Sequence, residues 1–157
     1  MKTRKKQEGF SLVELLVVVI IIAIVAAIAI PSLLASRRAA NEASAIASLR
    51  TIHSAQSTYF GINGNTSFGT VANLVSAGLI DSAIGSLSKS GYTFTLTLPA
   101  SAPFSTYCAN ANATTQGSTG VRRFGVGNQG TIYQDPSATV TCAAGVLTPA
   151  VTASPIQ

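Results

Sequence analysis

Hydrophobic and polar positions divide the chain of 157 residues into unlike stretches. Met1 to Glu8 is polar and basic. From Phe10 the sequence turns apolar, interrupted by Ser11 and Glu14, with an unbroken apolar run from Leu15 to Ile30. At helical rise, residues 10–30 span about 30 Å, the thickness of a bilayer's hydrocarbon core. The pattern predicts a membrane-length helix. Beyond Pro31 the apolar positions thin to a stripe at spacings of three and four, through Leu33, Leu34, Ala39, Ala43, Ile46, Leu49, Ile52, Ala55 and Tyr59. Arg37, Arg38, Asn41, Glu42 and Arg50 fall mostly off it. One helix is expected from about Phe10 to Phe60, half of it apolar all round and half amphipathic. Pro31 lacks an amide hydrogen and clashes with the preceding turn, so a kink is expected there.

The turn formers of Gly61 to Thr66 end this helix. Val71 to Ala77 reads as a short helix with Val71, Leu74 and Val75 inward, closed by Gly78. Leu79, Ile80 and Asp81 then begin a connection. Tyr92, Phe94, Leu96 and Leu98 alternate with threonines, which predicts a strand over 92–98 that stops at Pro99. Further strands are expected over 104–109, 121–126 and 130–134, the last two joined as a hairpin through Gly127-Asn128-Gln129-Gly130. Helix first and strands afterwards make an α+β chain, with the amphipathic half-helix packed on an antiparallel sheet of about four strands. Cys142 to Gln157 shows no periodicity and is expected to be a loose tail.

Composition changes this picture little. Charged residues make up 10% of the chain, and its net charge of +5 is uneven: Lys2, Arg4, Lys5 and Lys6 against Glu8 supply three of the five units. What is left, Arg37, Arg38, Arg50, Lys89, Arg122 and Arg123, forms no basic run with interleaved aromatics, so no sequence-specific nucleic-acid binding is expected. The basic end of the apolar helix would stay in the cytoplasm. Cys108 and Cys142 would then lie outside it, where a disulfide is the default reading, stabilising by roughly 4 kcal/mol in the chain-entropy picture. No metal site is expected, because no CxxC or Cys/His cluster is present. His53 is the only histidine, and it reads as a packing or surface residue. Arg38 and Glu42, four apart, are placed to pair on the helix surface. That histidine precedes Phe60, and the segment after Phe60 has only Asp81 and Asp135 as acids. No catalytic constellation is offered, so neither an enzyme nor a cofactor is expected.

Two readings of the apolar run remain open on spacing. A retained anchor fits its length, and a secretory signal peptide fits the basic start and the small residues Ala26-Ala27-Ile28-Ala29. Glu14 is discordant with both. A carboxylate in a membrane helix is unfavourable by roughly 2.5 to 3.5 kcal/mol at the bilayer centre and less near an end, so it calls for a partner, or for interfacial water and a favourable place near the helix N-terminus.

Gly9-Phe10-Ser11-Leu12-Val13-Glu14-Leu15-Leu16 resembles the prepilin cleavage and methylation motif of the type IV pilin superfamily, which includes type IVa pilins and the pseudopilins of type II secretion. The close likeness covers residues 4 to about 60. It implies that a membrane prepilin peptidase/methylase cuts between Gly9 and Phe10 and N-methylates Phe10. It also implies that Glu14 pairs with the Phe10 amine of a neighbouring subunit during assembly, and that Pro31 is the family's helix-kinking proline. The implied organisation is a removed leader (1–9), a transmembrane and filament-core helix (10–31), its amphipathic half (32–60) and a β-rich head (61–157). A Cys108–Cys142 bridge would enclose a region like the disulfide-bounded loop of many type IV pilins, although 15 residues follow Cys142. The implied function is that of a structural subunit of a homo-oligomeric type IV pilus for motility, adhesion or DNA uptake. Such a subunit is held in the bacterial inner membrane with its N-terminus in the cytoplasm, handed to an inner-membrane assembly platform, and extracellular once assembled. A major pseudopilin of a type II secretion system, or a minor or tip pilin, are the alternatives; Tyr59-Phe60, Asn63-Gly64 and Gly78-Leu79-Ile80 are reminiscent of pseudopilins.

Overall fold

The computed structural model describes residues 9–136 and 140–156. Of the expected leader, residues 1–8 lie outside the described residues. The chain divides into two compact units, Met1–Ser36 and Arg37–Gln157. Helix α1 runs Leu12–Ile62 and has Pro31 inside it. It begins and ends two residues later than the hydrophobic pattern suggests. In the first unit no described residue is buried, and the large apolar side chains from Phe10 to Leu34 all stand exposed. This helix is long and apolar enough to cross a membrane.

In the second unit α1 buries Glu42, Ala45, Ser48, Leu49, Ile52, Ala55 and Gln56, the three-and-four spacing of a helix face. Three of these are polar, and each is satisfied. The Ser48 hydroxyl donates to the Ser44 carbonyl (2.9 Å). The Gln56 amide donates to the Gly69 carbonyl (2.7 Å) and accepts from the Gly69 amide (2.9 Å). After α1 comes α2, Val71–Ser76, held by a Thr70/Asn73 capping box. Leu74 is fully buried under it, but Val75 remains 41% exposed and does not face inward as expected. A second short helix, α3 (Ser82–Gly85), was not signalled by the sequence pattern; the Asp81 carboxylate caps it by accepting from the Ile84 amide (2.7 Å).

The strands are β1 (Ser88–Lys89), β2 (Tyr92–Thr97), β3 (Cys108–Ala113), β4 (Arg123–Gly127), β5 (Ile132–Asp135), β6 (Thr141–Ala143), β7 (Val146–Thr148) and β8 (Ser154–Ile156). Six form one antiparallel sheet in the order β1-β2-β3-β4-β5-β8, and β6 and β7 form a separate hairpin. The expected four strands are its centre, and β1 and β8 extend it at the edges. Its second expected strand begins at Cys108 instead of Phe104. Phe94 lies opposite Ala111, which lies opposite Phe124. These residues, with Tyr92, Ala109, Val126 and Ile132, make a single core with Ala45, Leu49, Ile52 and Ala55 of α1. Each fully buried large side chain there contributes about 1.5 to 3 kcal/mol. Strand alternation puts Thr93, Thr95, Cys108, Asn110, Gly125, Gly127 and Tyr133 on the opposite face.

The tail is not loose. β6 and β7 pack on β3 and β4 over that opposite face. Two glycines make the approach: a Cβ on Gly125 would stand 2.6 Å from Val140 Cγ1, and one on Gly127 would stand 3.3 Å from Leu147 Cβ. The chain then returns to pair β8 with β5, and on the way the Thr152 hydroxyl donates to the buried Asp135 carboxylate (2.5 Å). Cys108 and Cys142, with Cα atoms 5.8 Å apart, are disulfide-bonded and join β3 to β6.

Candidate functional site

Gly9, Phe10 and Ser11 precede the first helical turn, and Ser11 is its N-cap residue by its bonds. Its carbonyl accepts from the Leu15 amide (3.2 Å), and its hydroxyl accepts from the Val13 amide (3.3 Å). Glu14 reaches back and accepts from the Ser11 amide through Oε2 (2.9 Å). This is a capping box in which the serine bonds the second helical amide and not the third. The carboxylate therefore faces the start of the chain, where the helix dipole also favours negative charge. Reading Glu14 as a charge needing a partner missed the local one. The signal was present as Ser11-Leu12-Val13-Glu14, the S-x-x-E spacing of a capping box.

The neighbouring positions are open. Phe10 is 89% exposed, and a Cβ on Gly9 would meet nothing within 4 Å, so packing does not require glycine there. Phe10, Val13, Leu15, Val17 and Val18 surround Glu14 with an apolar depression on the helix surface. Chemically, the junction offers one accessible peptide bond between Gly9 and Phe10. One carboxylate lies four residues beyond it, and apolar surface surrounds both.

The second carboxylate of α1 behaves differently. Glu42 is buried and accepts through Oε1 from the Val121 amide (2.8 Å) and the Arg122 amide (3.1 Å). Its Oε2 accepts from Arg122 Nε (2.7 Å). The expected surface pair with Arg38 is thus replaced by a long-range one, because Glu42 faces the sheet and two backbone amides converge on it. Burial alone would raise the Glu42 carboxyl; the two amides and the Arg122 guanidinium outweigh it and hold the carboxyl below its ordinary range. Arg122 Nη1 continues to Gln134 Oε1 (2.7 Å), and the Tyr92 hydroxyl donates to the Arg122 carbonyl (2.8 Å). Burial, then the nearby Glu42 charge, push the Tyr92 phenol up to about 12. His53 shares a 2.5 Å hydrogen bond with the buried Tyr107 hydroxyl, a packing role as expected.

Residues 4–30 match the family model described as the prokaryotic N-terminal methylation motif. No curated protein and no solved structure matches the chain. The matched segment contains the whole capped junction and the exposed apolar helix up to Ile30, and supports anchoring in a membrane before assembly. It is a prepilin signature, the mark of type IV pilin-like and pseudopilin proteins.

Proposed function

We propose that the chain is the structural subunit of a type IV pilus. The observation that carries this is the capped Glu14 at the mouth of a fully exposed apolar helix, inside the methylation motif. The leader is removed between Gly9 and Phe10 by a prepilin peptidase, and Phe10 is N-methylated. The helix waits in the inner membrane and leaves lipid only when equally apolar neighbours replace the acyl chains. The charge of Glu14 then selects the register in which a neighbour's Phe10 amine meets it, because an unpaired charge in that setting is strongly unfavourable. Pro31, inside α1, is where this helix bends in the assembled fibre. The pilus is favoured over a secretion pseudopilus by the Cys108–Cys142 bridge and by the acid-poor C-terminal half. Its Asp135 is buried and engaged with Thr152.

Glu14→Ala tests the reading. The variant is expected to accumulate in membranes at the wild-type level, yet be missing from sheared surface fibres. Mass spectrometry of wild-type fibres should show a chain beginning at Phe10 with one added methyl group. Normal fibre yield from Glu14→Ala would remove the registry role, and a mature chain beginning after Ala29 would remove the filament reading altogether.

A further inference from the structure

Two turns bound a cleft beside the outer face of the sheet. One is Gly127-Asn128-Gln129-Gly130 between β4 and β5, closed by the Gly130 amide donating to the Gly127 carbonyl (3.0 Å). The other is Ala144-Gly145 between β6 and β7, both residues with positive φ. The cleft measures about 330 Å³, at the lower end of the size of small-ligand sites. Its lining sets the polar residues Thr106, Asn128, Gln129, Thr131 and Tyr133 beside the apolar Val146, Leu147 and Pro149. None of the five polar side chains is engaged in a hydrogen bond with another described residue.

The cleft is built, not incidental. A Cβ on Gly145 would stand 2.7 Å from Thr106 Oγ1, so glycine sets the spacing of that wall. The β6–β7 hairpin that carries the wall is tethered to β3 by Cys142 and Cys108. No charged side chain is part of the lining among the described residues. An ionic ligand would lose hydration there and meet no opposite charge. A purely apolar ligand would bury the five polar groups unpaired, which is unfavourable for each of them. The chemistry that fits is uncharged, dense in hydroxyls, and has a C–H face able to lie on the negative face of the half-buried Tyr133 ring.

We propose that this cleft binds a neutral saccharide, with Tyr133 as the stacking platform and Asn128 and Gln129 as the hydroxyl-reading amides. The proposal goes beyond the filament reading and does not depend on whether the fibre is a pilus or a pseudopilus.

The test is saturation-transfer NMR on the oxidised full chain in phosphocholine micelles, which lack sugar headgroups. The probes are lactose, maltose and chitobiose, with sialyllactose as the charged counterpart. At least one neutral sugar should receive saturation on one face of its ring. Tyr133→Ala should weaken that binding about tenfold. Asn128→Ala or Gln129→Ala, in an exposed turn that tolerates substitution, should weaken it about fivefold, the effect of one lost hydrogen bond. Arg50→Ala, outside the cleft, should leave it unchanged. These two turn variants keep the test sharp if Tyr133→Ala fails to fold. Absence of transfer to all three neutral sugars, binding that survives the turn substitutions, or a preference for sialyllactose would each overturn the assignment.

Discussion

Glu14 accepts from the amide of Ser11, three residues back, and Glu42 accepts from two amides and a guanidinium some 80 positions away. The first arrangement is local and is made by any helix that starts with this spacing. Ser11→Ala removes the hydroxyl that accepts from the Val13 amide, and losing such a cap is unfavourable by about 1 kcal/mol. Hydrogen exchange at Val13 in micelles should then accelerate about fivefold, and Ser11→Thr should restore protection. Glu42 carries more. Its carboxyl sits below the ordinary value of 4.5, so its stabilising contribution is complete above that pH and is lost as pH falls through the folded value. The denaturation midpoint should be level from neutral pH to about 5 and drop below 4.5, and Glu42→Gln should flatten that acid limb. Glu42→Ala should be unfavourable by about 3 kcal/mol, the low end for a broken buried pair, because the Arg122 side chain remains 42% exposed and rehydrates.

At the scale of elements, what the pattern revealed follows from length and side-chain size. The apolar run of α1 and the aromatic-threonine alternation of β2 are long, strong signals. β3 carries the same alternation in muted form: Ala109 and Ala111 face the core while Cys108 and Asn110 face away. Small inward residues and poor strand formers hid its start by four positions. β6, β7 and β8 have three residues each, fewer than a period-two signal needs, so the tail looked unstructured. The Glu42–Arg122 pair had no local trace at all, since its partner arrives through the sheet. The packing that holds the hairpin rests instead on the absence of a side chain. Gly125→Val would drive its Cβ into Val140 Cγ1 and toward Leu147 Cδ1, at 2.6 and 2.9 Å. Such overpacking is typically unfavourable by about 1 to 3 kcal/mol. The variant should show a lower denaturation midpoint and faster exchange in β6 and β7, with α1 amide protection beyond Arg37 falling only by the global amount.

Across the whole molecule, burial and apolar exposure are assigned to different lengths of chain. Among the described residues, every member of the hydrophobic core lies from Ala45 onward, and none up to Ser36 is buried. Apolar side chains that contribute nothing to the core and stand exposed along a helix need lipid or other helices to cover them. The stability of the folded unit should therefore be indifferent to their removal. A fragment starting at Arg37 keeps Glu42, the core face of α1, the sheet and the disulfide. It is expected to be soluble without detergent, to stay out of sedimented membranes, and to unfold at the same denaturant midpoint as the full chain in micelles. Within that fragment the bridge closes a loop of 34 residues, worth about 4 kcal/mol in the chain-entropy picture. Reduction, or Cys108→Ser with Cys142→Ser, should lower its stability by about that amount and expose the β6–β7 hairpin to exchange first. If the fragment instead aggregates or unfolds at a clearly lower midpoint while its disulfide is intact, the first 36 residues contribute to the fold as well as to the anchor, and the assignment of burial to the later residues alone is wrong.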